Sequence, residues 1–494
     1  MKRLFYAVFV PCLAAILGVA LLHPQNNLVP SRMFLYMLVW VGILAGIRAV
    51  FLLSERKLQT ISRWGLIIYS ILYGVALYTV SVLLCSAPVT DYGEVYQTAL
   101  RLSAQETVTD WSYFSMWTNN LGTLTILTAC MRMGRILGFQ DPYYFVLGVN
   151  VLQMVAVQIA IFYLGGKIDR EHKVAGQWFA MVVFTLWTPV WTSTNAFYSD
   201  QLSFGGSILA AALLLYAMEE CKEKTGPKWI CCVCAGMLWG IAACVKATAA
   251  IGLVAGGIVC ILSFRNIVKK HWRVLLLFAV SFCIAFGGLY AYDQTYPSKA
   301  DEYRLKTPVE FWIAMGLMGN GTYSDNAYLI RQCNFKPNVD ERRAFCRKMI
   351  RENANCFYEA EHLYEKTSVI FGSGDILPTS LMYPDRESFL WQLVYWEGDY
   401  YWKYTCTCTG FFYAVLLLML AGSLLQAIRE EPADLVFWIY LTVFGLFLFL
   451  MFWEAQNKQL FNHIPWMTLA AVYGIRWPED FVRNKLRKYV AERE

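Results

Sequence analysis

Charged side chains are scarce in this sequence. Asp, Glu, Lys and Arg make up 16% of its 494 residues, whereas soluble domains carry about a quarter. Hydrophobic residues account for 57%, and 18 tryptophans and 30 tyrosines suit the aromatic belts at membrane surfaces. This composition excludes an ordinary soluble domain and indicates a membrane protein. The net charge of +6 is small and lies mostly between apolar segments, so it indicates topology and not a nucleic-acid partner.

The sequence also lacks the signatures that assign a reaction directly. It contains no Walker phosphate-binding loop, no zinc-protease helix and no nucleophile elbow. It has no internal repeat of solenoid length and no low-complexity tract. The apolar segments carry no acidic residue near their centres and do not divide into two similar halves, which disfavours a secondary transporter.

Fifteen cysteines are present, and most lie inside apolar runs, where a thiol behaves as a small hydrophobic group. The cluster at 231–234 has no nearby histidine or carboxylate, which argues against a metal site there. Five cysteines lie within or beside one long polar segment: Cys333, Cys346, Cys356, Cys406 and Cys408. These cysteines can form disulfides if that segment faces an oxidising compartment, but their spacing in the sequence does not determine which of them pair.

Twelve apolar segments approach the length of a membrane span, which needs about 20 residues to cross roughly 30 Å of hydrocarbon. The candidates are 4–22, 33–53, 65–86, 143–165, 175–193, 203–218, 229–245, 247–264, 273–292, 410–428, 435–453 and 460–475. The first segment resembles a signal peptide, but no small-x-small cleavage site follows it. We therefore expect it to be retained as a span.

One further apolar stretch, 113–139, decides the topology. It contains Arg132 and Arg135, and only 121–130 is uninterrupted. If this stretch lies on the outer surface and both termini are cytoplasmic, most lysines and arginines of the short loops fall inside, as the positive-inside rule requires. A spanning 113–139 would move the basic loop at 167–173 and the basic tail outside. The charges therefore predict a multi-pass cell-membrane protein with cytoplasmic termini.

The predicted fold is an all-α integral membrane protein of about twelve transmembrane helices. We expect amphipathic surface helices in the first large external loop, and a small extracytoplasmic cap where the chain is too long for a connection. The predicted parts are an N-terminal two-helix extension at 1–64, a transmembrane core at 65–292 with external loop 87–142, the cap at 293–409, C-terminal transmembrane helices at 410–475 and a basic cytoplasmic tail at 476–494.

Ionisable residues at the outer rim are the candidate functional residues, because a charge at the bilayer centre costs about 2.5–3.5 kcal/mol. Asp91 directly follows a span and opens a helix, and Asp200 stands at the mouth of another span. Each aspartate has a structural alternative, which is to cap the helix that follows it. The sequence pattern alone does not decide between cap and catalyst.

Basic residues occur at the same predicted face. Lys246 lies between two tightly linked apolar segments, where it either binds an anion or extends to the interface. Glu454 and Lys458 are four residues apart, so they either serve a site or form a mutual ion pair. Carboxylates and lysines on one face suit a transfer in which a carboxylate takes a proton from an acceptor hydroxyl while cations hold a departing phosphate.

At these positions the sequence resembles the GT-C glycosyltransferases, in particular the protein O-mannosyltransferases and dolichyl-phosphate-mannose-mannosyltransferase-like proteins of family 39. The resemblance covers roughly 65–290 and 435–475. The features that carry it are the aspartate helix at 91–96, an aromatic and asparagine helix at 113–120, the Tyr-Ser-Asp turn at 198–200 and the Gly-x-x-x-x-Val-Lys pattern at 240–246. The sequence departs from the family in having two spans before the aspartate loop instead of one. It also has Glu94 where many relatives place a second acid directly after the aspartate.

The resemblance implies a GT-C-like bundle and an inverting transfer from a polyprenyl-phosphate sugar to an extracytoplasmic glycan, lipid or protein acceptor. It implies Asp91 as the catalytic base. The implied substrate-binding residues are Glu94, Asn119, Asn120, Asp200, Lys246, Glu454 and Lys458. Among them, Lys246 and Lys458 would neutralise the departing lipid phosphate. A divalent metal, which some relatives use and others do not, would lie between Asp91 and Asp200.

Two other functions stay open at this point. One is a lipid-linked glycan polymerase or ligase that uses a lipid-diphosphate donor and arginines of a large outer loop, for which Arg342 and Arg343 are the candidates. The other is a non-enzymatic lipid or solute transporter.

Overall fold

The computed structural model describes residues 2–219, 228–264, 267–296, 305–376, 381–383, 385, 387–429 and 433–476, and within them the regular secondary structure is helical. The α-helices, in chain order, are α1 (Lys2–Leu22), α2 (Pro30–Leu53), α3 (Glu55–Leu83), α4 (Thr90–Ser103), α5 (Ser112–Met116), α6 (Leu121–Ile136), α7 (Tyr143–Ile168), α8 (Lys173–Thr185), α9 (Thr188–Thr192), α10 (Ser199–Phe204), α11 (Gly206–Met218), α12 (Lys228–Val245), α13 (Ile251–Leu262), α14 (Val268–Asp293), α15 (Val309–Gly316), α16 (Ala327–Asn334), α17 (Val339–Glu352), α18 (Ala360–Phe371), α19 (Phe389–Val394), α20 (Tyr401–Ile428), α21 (Asp434–Phe452) and α22 (Ile464–Gly474). The 3-10 turns are Thr118–Asn120, Ala247–Ala250, Ser324–Asn326, Ala354–Tyr358 and Asn457–His463. The predicted tail at 476–494 lies outside the described residues apart from Arg476.

Nine helices of the described chain are long and apolar enough to cross a membrane: α1, α2, α3, α7, α10 together with α11, α12, α14, α20 and α21. Each overlaps one of the predicted spans. Two begin well before the prediction, α3 at Glu55 instead of 65 and α20 at Tyr401 instead of 410. Residues 401–409 are rich in tyrosine, threonine and cysteine, so they form no long apolar run that would reveal the helix.

The other three predicted spans, at 175–193, 247–264 and 460–475, fold as shorter or interrupted helices. Pro189 begins a new helix after α8, and Pro465 lies at the start of α22, because proline lacks the amide hydrogen that would continue a preceding helix. At 247–264 a 3-10 turn precedes α13. Whether these segments cross the membrane stays a prediction.

Helices α12 and α14 pack closely against each other. A Cβ atom on Gly236 would lie 2.5 Å from the carbonyl oxygen of Phe278, and one on Gly240 would lie 2.7 Å from that of Phe282. Two glycines four residues apart therefore let the backbones touch, which is how helices associate in lipid, where hydrophobic burial gives little driving force. Elsewhere α3 and α14 keep large apolar side chains exposed, such as Leu72 and Ile284. These surfaces suit contact with lipid.

Ion pairs join the helix ends that the sequence analysis places in the cytoplasm. Lys2 at the start of α1 pairs with Asp434 at the start of α21, at 2.5 Å. Arg48 of α2 pairs with Asp169 after α7, also at 2.5 Å, and Arg476 after α22 approaches the same carboxylate at 3.8 Å. The relative directions of these helices therefore agree with the predicted alternation, and the side of the membrane stays a prediction.

The first external loop leaves and returns at one end of the bundle. The Asn195 side chain donates to the carbonyl of Leu84, at the end of α3, at 2.9 Å. The hydroxyl of Tyr143, at the start of α7, donates to the carbonyl of Asn195 at 2.7 Å. Because the end of α3 and the start of α7 meet here, the segment that contains α4 and α6 begins and ends at this end of the bundle. A surface location of 113–139 stays a prediction.

The cap consists of short helices between α14 and α20, and it contacts the first external loop. Tyr383 donates its amide to the carbonyl of Ala87 at 2.8 Å, and Val89 donates to Leu381 at 3.0 Å. The cap therefore holds the backbone that leads into α4.

Candidate functional site

Asp200 and Lys246 form an ion pair in which the Lys246 ammonium donates to the Asp200 carboxylate. Asp200 lies in the first turn of α10, and Lys246 lies in extended backbone directly after α12. Their side chains are 3% and 13% exposed, respectively. Asp200 is thus the partner of a buried cation. At the start of α10 the backbone N–H of Tyr198 donates a hydrogen bond to the side-chain oxygen of Gln201 at 3.3 Å, and not to Asp200.

Glu454 and Lys458 lie in the segment that follows α21. Glu454 is buried and accepts a hydrogen bond from the Gln456 side chain. Lys458 is half-buried, and within the described residues it forms no contact ion pair with Glu454 or another carboxylate. The alternative of a mutual ion pair is therefore not realised in this structure.

Five of the predicted charges act on one another. Burial raises the pKa of Glu454; the positive charges of Lys458 and Lys246 oppose this shift, and the negative charges of Asp91 and Asp200 add to it. Burial lowers the pKa of Lys246, against the attraction of Asp200. Side chains from four distant parts of the chain therefore share one electrostatic site.

Asp91 lies exposed in the first turn of α4, near the half-buried Tyr113 and the buried Tyr198. Burial is the main cause that raises the pKa values of Tyr113 and Tyr198, and the negative charge of Asp91 raises both further. Asp91 makes no hydrogen bond or contact ion pair with the described residues. The preceding residue, Thr90, has φ +55°, a left-handed conformation that is strained for a β-branched residue. The carboxylate is thus exposed, and the described residues supply it with no partner.

Asn120 joins these two tyrosines. Its amide nitrogen donates to the hydroxyl of Tyr113 at 2.6 Å, and its carbonyl oxygen accepts from the hydroxyl of Tyr198 at 3.1 Å. Asn119 is exposed and donates to the Asn120 side chain at 3.3 Å. Glu94 is also exposed and has no hydrogen-bond or ion-pair partner in the part of the chain that the structure describes. The structure therefore joins Asn120 to the surroundings of Asp91 and leaves Glu94 and Asn119 at the surface.

Three buried polar atoms without partners lie on α10, which carries Asp200, and on the 3-10 turn that contacts it. They are Gln201 Nε2, Asn462 Oδ1 and His463 Nδ1, none of which has a hydrogen-bond partner among the described residues. The Asn462 amide nitrogen donates to the Ser203 hydroxyl at 2.8 Å, which places it against α10, the helix that carries Asp200. Such groups are costly to bury unsatisfied, so they suit a site that receives a polar ligand.

The sequence analysis does not find Asp375. This carboxyl group is 3% exposed and accepts a hydrogen bond from the Tyr401 hydroxyl. Its backbone carbonyl accepts from the Asn457 side chain, next to Lys458, at 2.7 Å. Burial raises the pKa of Asp375 to about 6. The surrounding Gly-Ser-Gly-Asp sequence has no periodicity and lies far from any predicted span boundary, so no sequence signal marked it.

The residues present do not fit a divalent metal. Within the described residues, no group of three or more His, Cys, Asp or Glu side chains is placed to hold one. Of the two aspartates predicted to share a metal, Asp200 is paired with Lys246. We therefore assign no step to a metal ion.

Comparisons with known proteins place the chain in a family. No curated protein matches it. Among solved structures, the crystal structure of ArnT from Cupriavidus metallidurans bound to undecaprenyl phosphate is similar to it, with 11% sequence identity and a TM-score of 0.37, over 84% of this chain and 78% of that one. A likeness at this level assigns neither function nor residues. A family model described as "Conserved hypothetical integral membrane protein" matches residues 1–356, so the chain belongs to this family of integral membrane proteins.

Proposed function

We propose that this protein is a GT-C-type membrane glycosyltransferase that moves a sugar from a polyprenyl-phosphate donor to an extracytoplasmic acceptor. The observation that carries the proposal is the single electrostatic site formed by Asp91, Asp200, Lys246, Glu454 and Lys458. It lies at one end of a membrane bundle, where the headgroup of a lipid would lie.

Asp91 is the proposed general base. It is exposed and has no hydrogen-bond or ion-pair partner among the residues that the structure describes, so its carboxylate can take the proton of an acceptor hydroxyl. The acceptor oxygen then forms a bond to the anomeric carbon as the bond from that carbon to the phosphate oxygen breaks on the opposite face. The products are an inverted glycoside and a polyprenyl phosphate.

Lys458 is the proposed cation for the departing phosphate. It has no contact ion pair among the described residues, and charge-assisted hydrogen bonds to phosphate are about twice as strong as neutral ones. Lys246 already forms an ion pair with Asp200, so its positive charge would interact with both that carboxylate and the phosphate. Both cations would stabilise the negative charge that develops on the leaving group.

The arginines of the polymerase or ligase alternative have other partners. Arg342 is 1% exposed and donates to backbone carbonyls of the cap, including that of Lys336 at 3.3 Å. Arg343 lies 3.4 Å from Glu310 and 3.4 Å from Asp340. These contacts favour a structural role within the cap, so this alternative gains no support from them.

The proposal is tested with Asp91→Asn, in membranes that contain a panel of radiolabelled polyprenyl-phosphate sugars. We expect release of polyprenyl phosphate to fall by about 100-fold or more, because general-base catalysis contributes about 10²–10⁴-fold. Glu106→Gln is the matched control, since it removes an exposed carboxylate of the same loop that pairs only loosely with Arg101, at 3.7 Å. Near-normal release by Asp91→Asn would remove the assignment, and lipid or solute transport without any sugar transfer would support a transporter.

A further inference from the structure

Two cysteines of the cap lie side by side. The sulfur of Cys333, near the end of α16, is 3.9 Å from the sulfur of Cys346, in the middle of α17. Their side chains are 1% and 0% exposed, and both belong to a small apolar cluster with Phe311, Met315 and Leu329. This cluster is separate from the main core of the bundle.

We propose that Cys333 and Cys346 form a disulfide that closes the cap. A disulfide places its sulfurs about 2.05 Å apart, and the two sulfurs are already in contact at 3.9 Å. The cap has few buried apolar residues with which to hold α16 and α17 together, and small external units of this kind are often stabilised by disulfides. The inference does not depend on the proposed glycosyltransferase activity.

The surrounding charges favour Cys333 as the attacking thiolate. In the dithiol, the hydrogen bond from Cys346 is the largest cause that lowers the pKa of Cys333; once Cys346 is in a mixed disulfide this bond is lost, and the positive charges of Arg342 and Lys336 remain to lower the pKa against the effect of burial. The oxidant is a protein disulfide of the thiol–disulfide oxidoreductase class. It first forms a mixed disulfide with Cys346. The Cys333 thiolate then attacks the Cys346 sulfur and releases the oxidoreductase as a dithiol, so two protons and two electrons leave the cysteine pair. Because both thiols are buried in the folded cap, exchange takes place while α16 and α17 pack.

The other three cysteines within or beside the polar segment have different surroundings. Cys356 lies in the 3-10 turn after α17, and burial raises its pKa. Cys408, in α20, lies 2.7 Å from the hydroxyl of Thr188. Cys406 is two residues away on the same helix, so it points to a different face. Cys356 is therefore the matched control within the cap.

The test uses full-length protein expressed in cells, alkylated in denaturant without reductant, and digested for mass spectrometry. We expect a peptide pair joined through Cys333 and Cys346 that is two hydrogens lighter than the free dithiol pair. The link should disappear in Cys333→Ala and persist in Cys356→Ala. Alkylation of both Cys333 and Cys346 in the wild-type protein would overturn the proposal, and this measurement does not require any variant to fold.

A second measurement examines the consequence of the bond. Reductant should lower the Tm of the wild-type protein by several degrees and leave the Tm of the Cys333→Ala, Cys346→Ala double variant unchanged. An equal effect of reductant on both proteins would contradict a stabilising bond between these two residues.

Discussion

The site residues differ in whether another residue of the protein forms an ion pair with them. Asp200 and Lys246 neutralise each other inside the fold, whereas Asp91 and Lys458 have no contact ion pair among the described residues. The sequence gives the type and order of these four residues, because each follows the end of an apolar segment. It does not show which lysine pairs with which carboxylate, since that depends on how separate helix ends meet in space.

Removal of Lys246 tests the buried pair. Lys246→Met would leave the Asp200 carboxylate without its cation at 3% exposure, and breaking such a pair costs about 3–5 kcal/mol. We expect a clear fall in the Tm of the detergent-solubilised protein. The double variant Asp200→Asn, Lys246→Met removes both charges and should recover most of that loss. An unchanged Tm for Lys246→Met alone would show that the pair contributes no stability.

At the scale of elements, apolar length predicts the helices well and prolines account for the exceptions. The nine long helices of the described chain each overlap a predicted span, and Pro189 and Pro465 explain two of the three interrupted ones. The surface location predicted for α6 rests on Arg132 and Arg135 in an otherwise apolar stretch, and it stays a prediction. The helices of the cap have no such pattern, so their packing and the contact of Cys333 with Cys346 could not be predicted from sequence.

The contact of α12 with α14 predicts a sharp difference between two glycines. Gly236→Val would place side-chain atoms against the carbonyl of Phe278 and separate the helices, so we expect a lower Tm. Gly288→Val, in α14 itself, has no atom within 4 Å of the added Cβ and should change Tm little. Equal effects of the two substitutions on Tm would contradict the close packing.

Lys366 of α18 connects the cap to the bundle and predicts a pH effect. Its buried ammonium donates to the carbonyl of Gly316 and, at 2.9 Å, to that of Met451 near the end of α21. Burial lowers the pKa of Lys366 from 10.5 to about 7. Between these values the unfolded chain binds more protons than the folded one, so this group makes stability rise with pH.

Lys366→Met lacks this titration. We expect the Tm of the wild type minus that of the variant to increase from about pH 7 to about pH 9.5, measured in the same detergent. If the two Tm values changed in parallel with pH, the pKa of Lys366 would not be lowered in the folded protein.

At the scale of the whole molecule, the two ends of the helix bundle carry different groups of residues. One set carries ion pairs such as Lys2 with Asp434, and the other carries the candidate site and the cap. Hydrophobic patterning and basic loops predict this alternation, because they reflect transfer of each segment into lipid. The absolute orientation depends on charge bias alone, which a single structure does not test.

Labelling of intact cells with a membrane-impermeant amine reagent tests that orientation. We expect modification of Lys348, an exposed residue of the cap, and protection of Lys173, an exposed residue at the start of α8. Lysed cells, in which both lysines should react, are the control. The reverse pattern in intact cells would invert the topology and place the site in the cytoplasm.

Binding of a polyprenyl phosphate to the purified protein tests the central claim most directly, because it asks whether the converging charges hold a lipid phosphate before any chemistry occurs. We expect saturable binding that Lys458→Met weakens by about tenfold or more, since a hydrogen bond to a charged group contributes about 1.5–3 kcal/mol. Lys403→Met, which removes an exposed lysine of α20, should bind as the wild type does. Equal affinity of Lys458→Met and the wild type, or no saturable binding at all, would contradict the account.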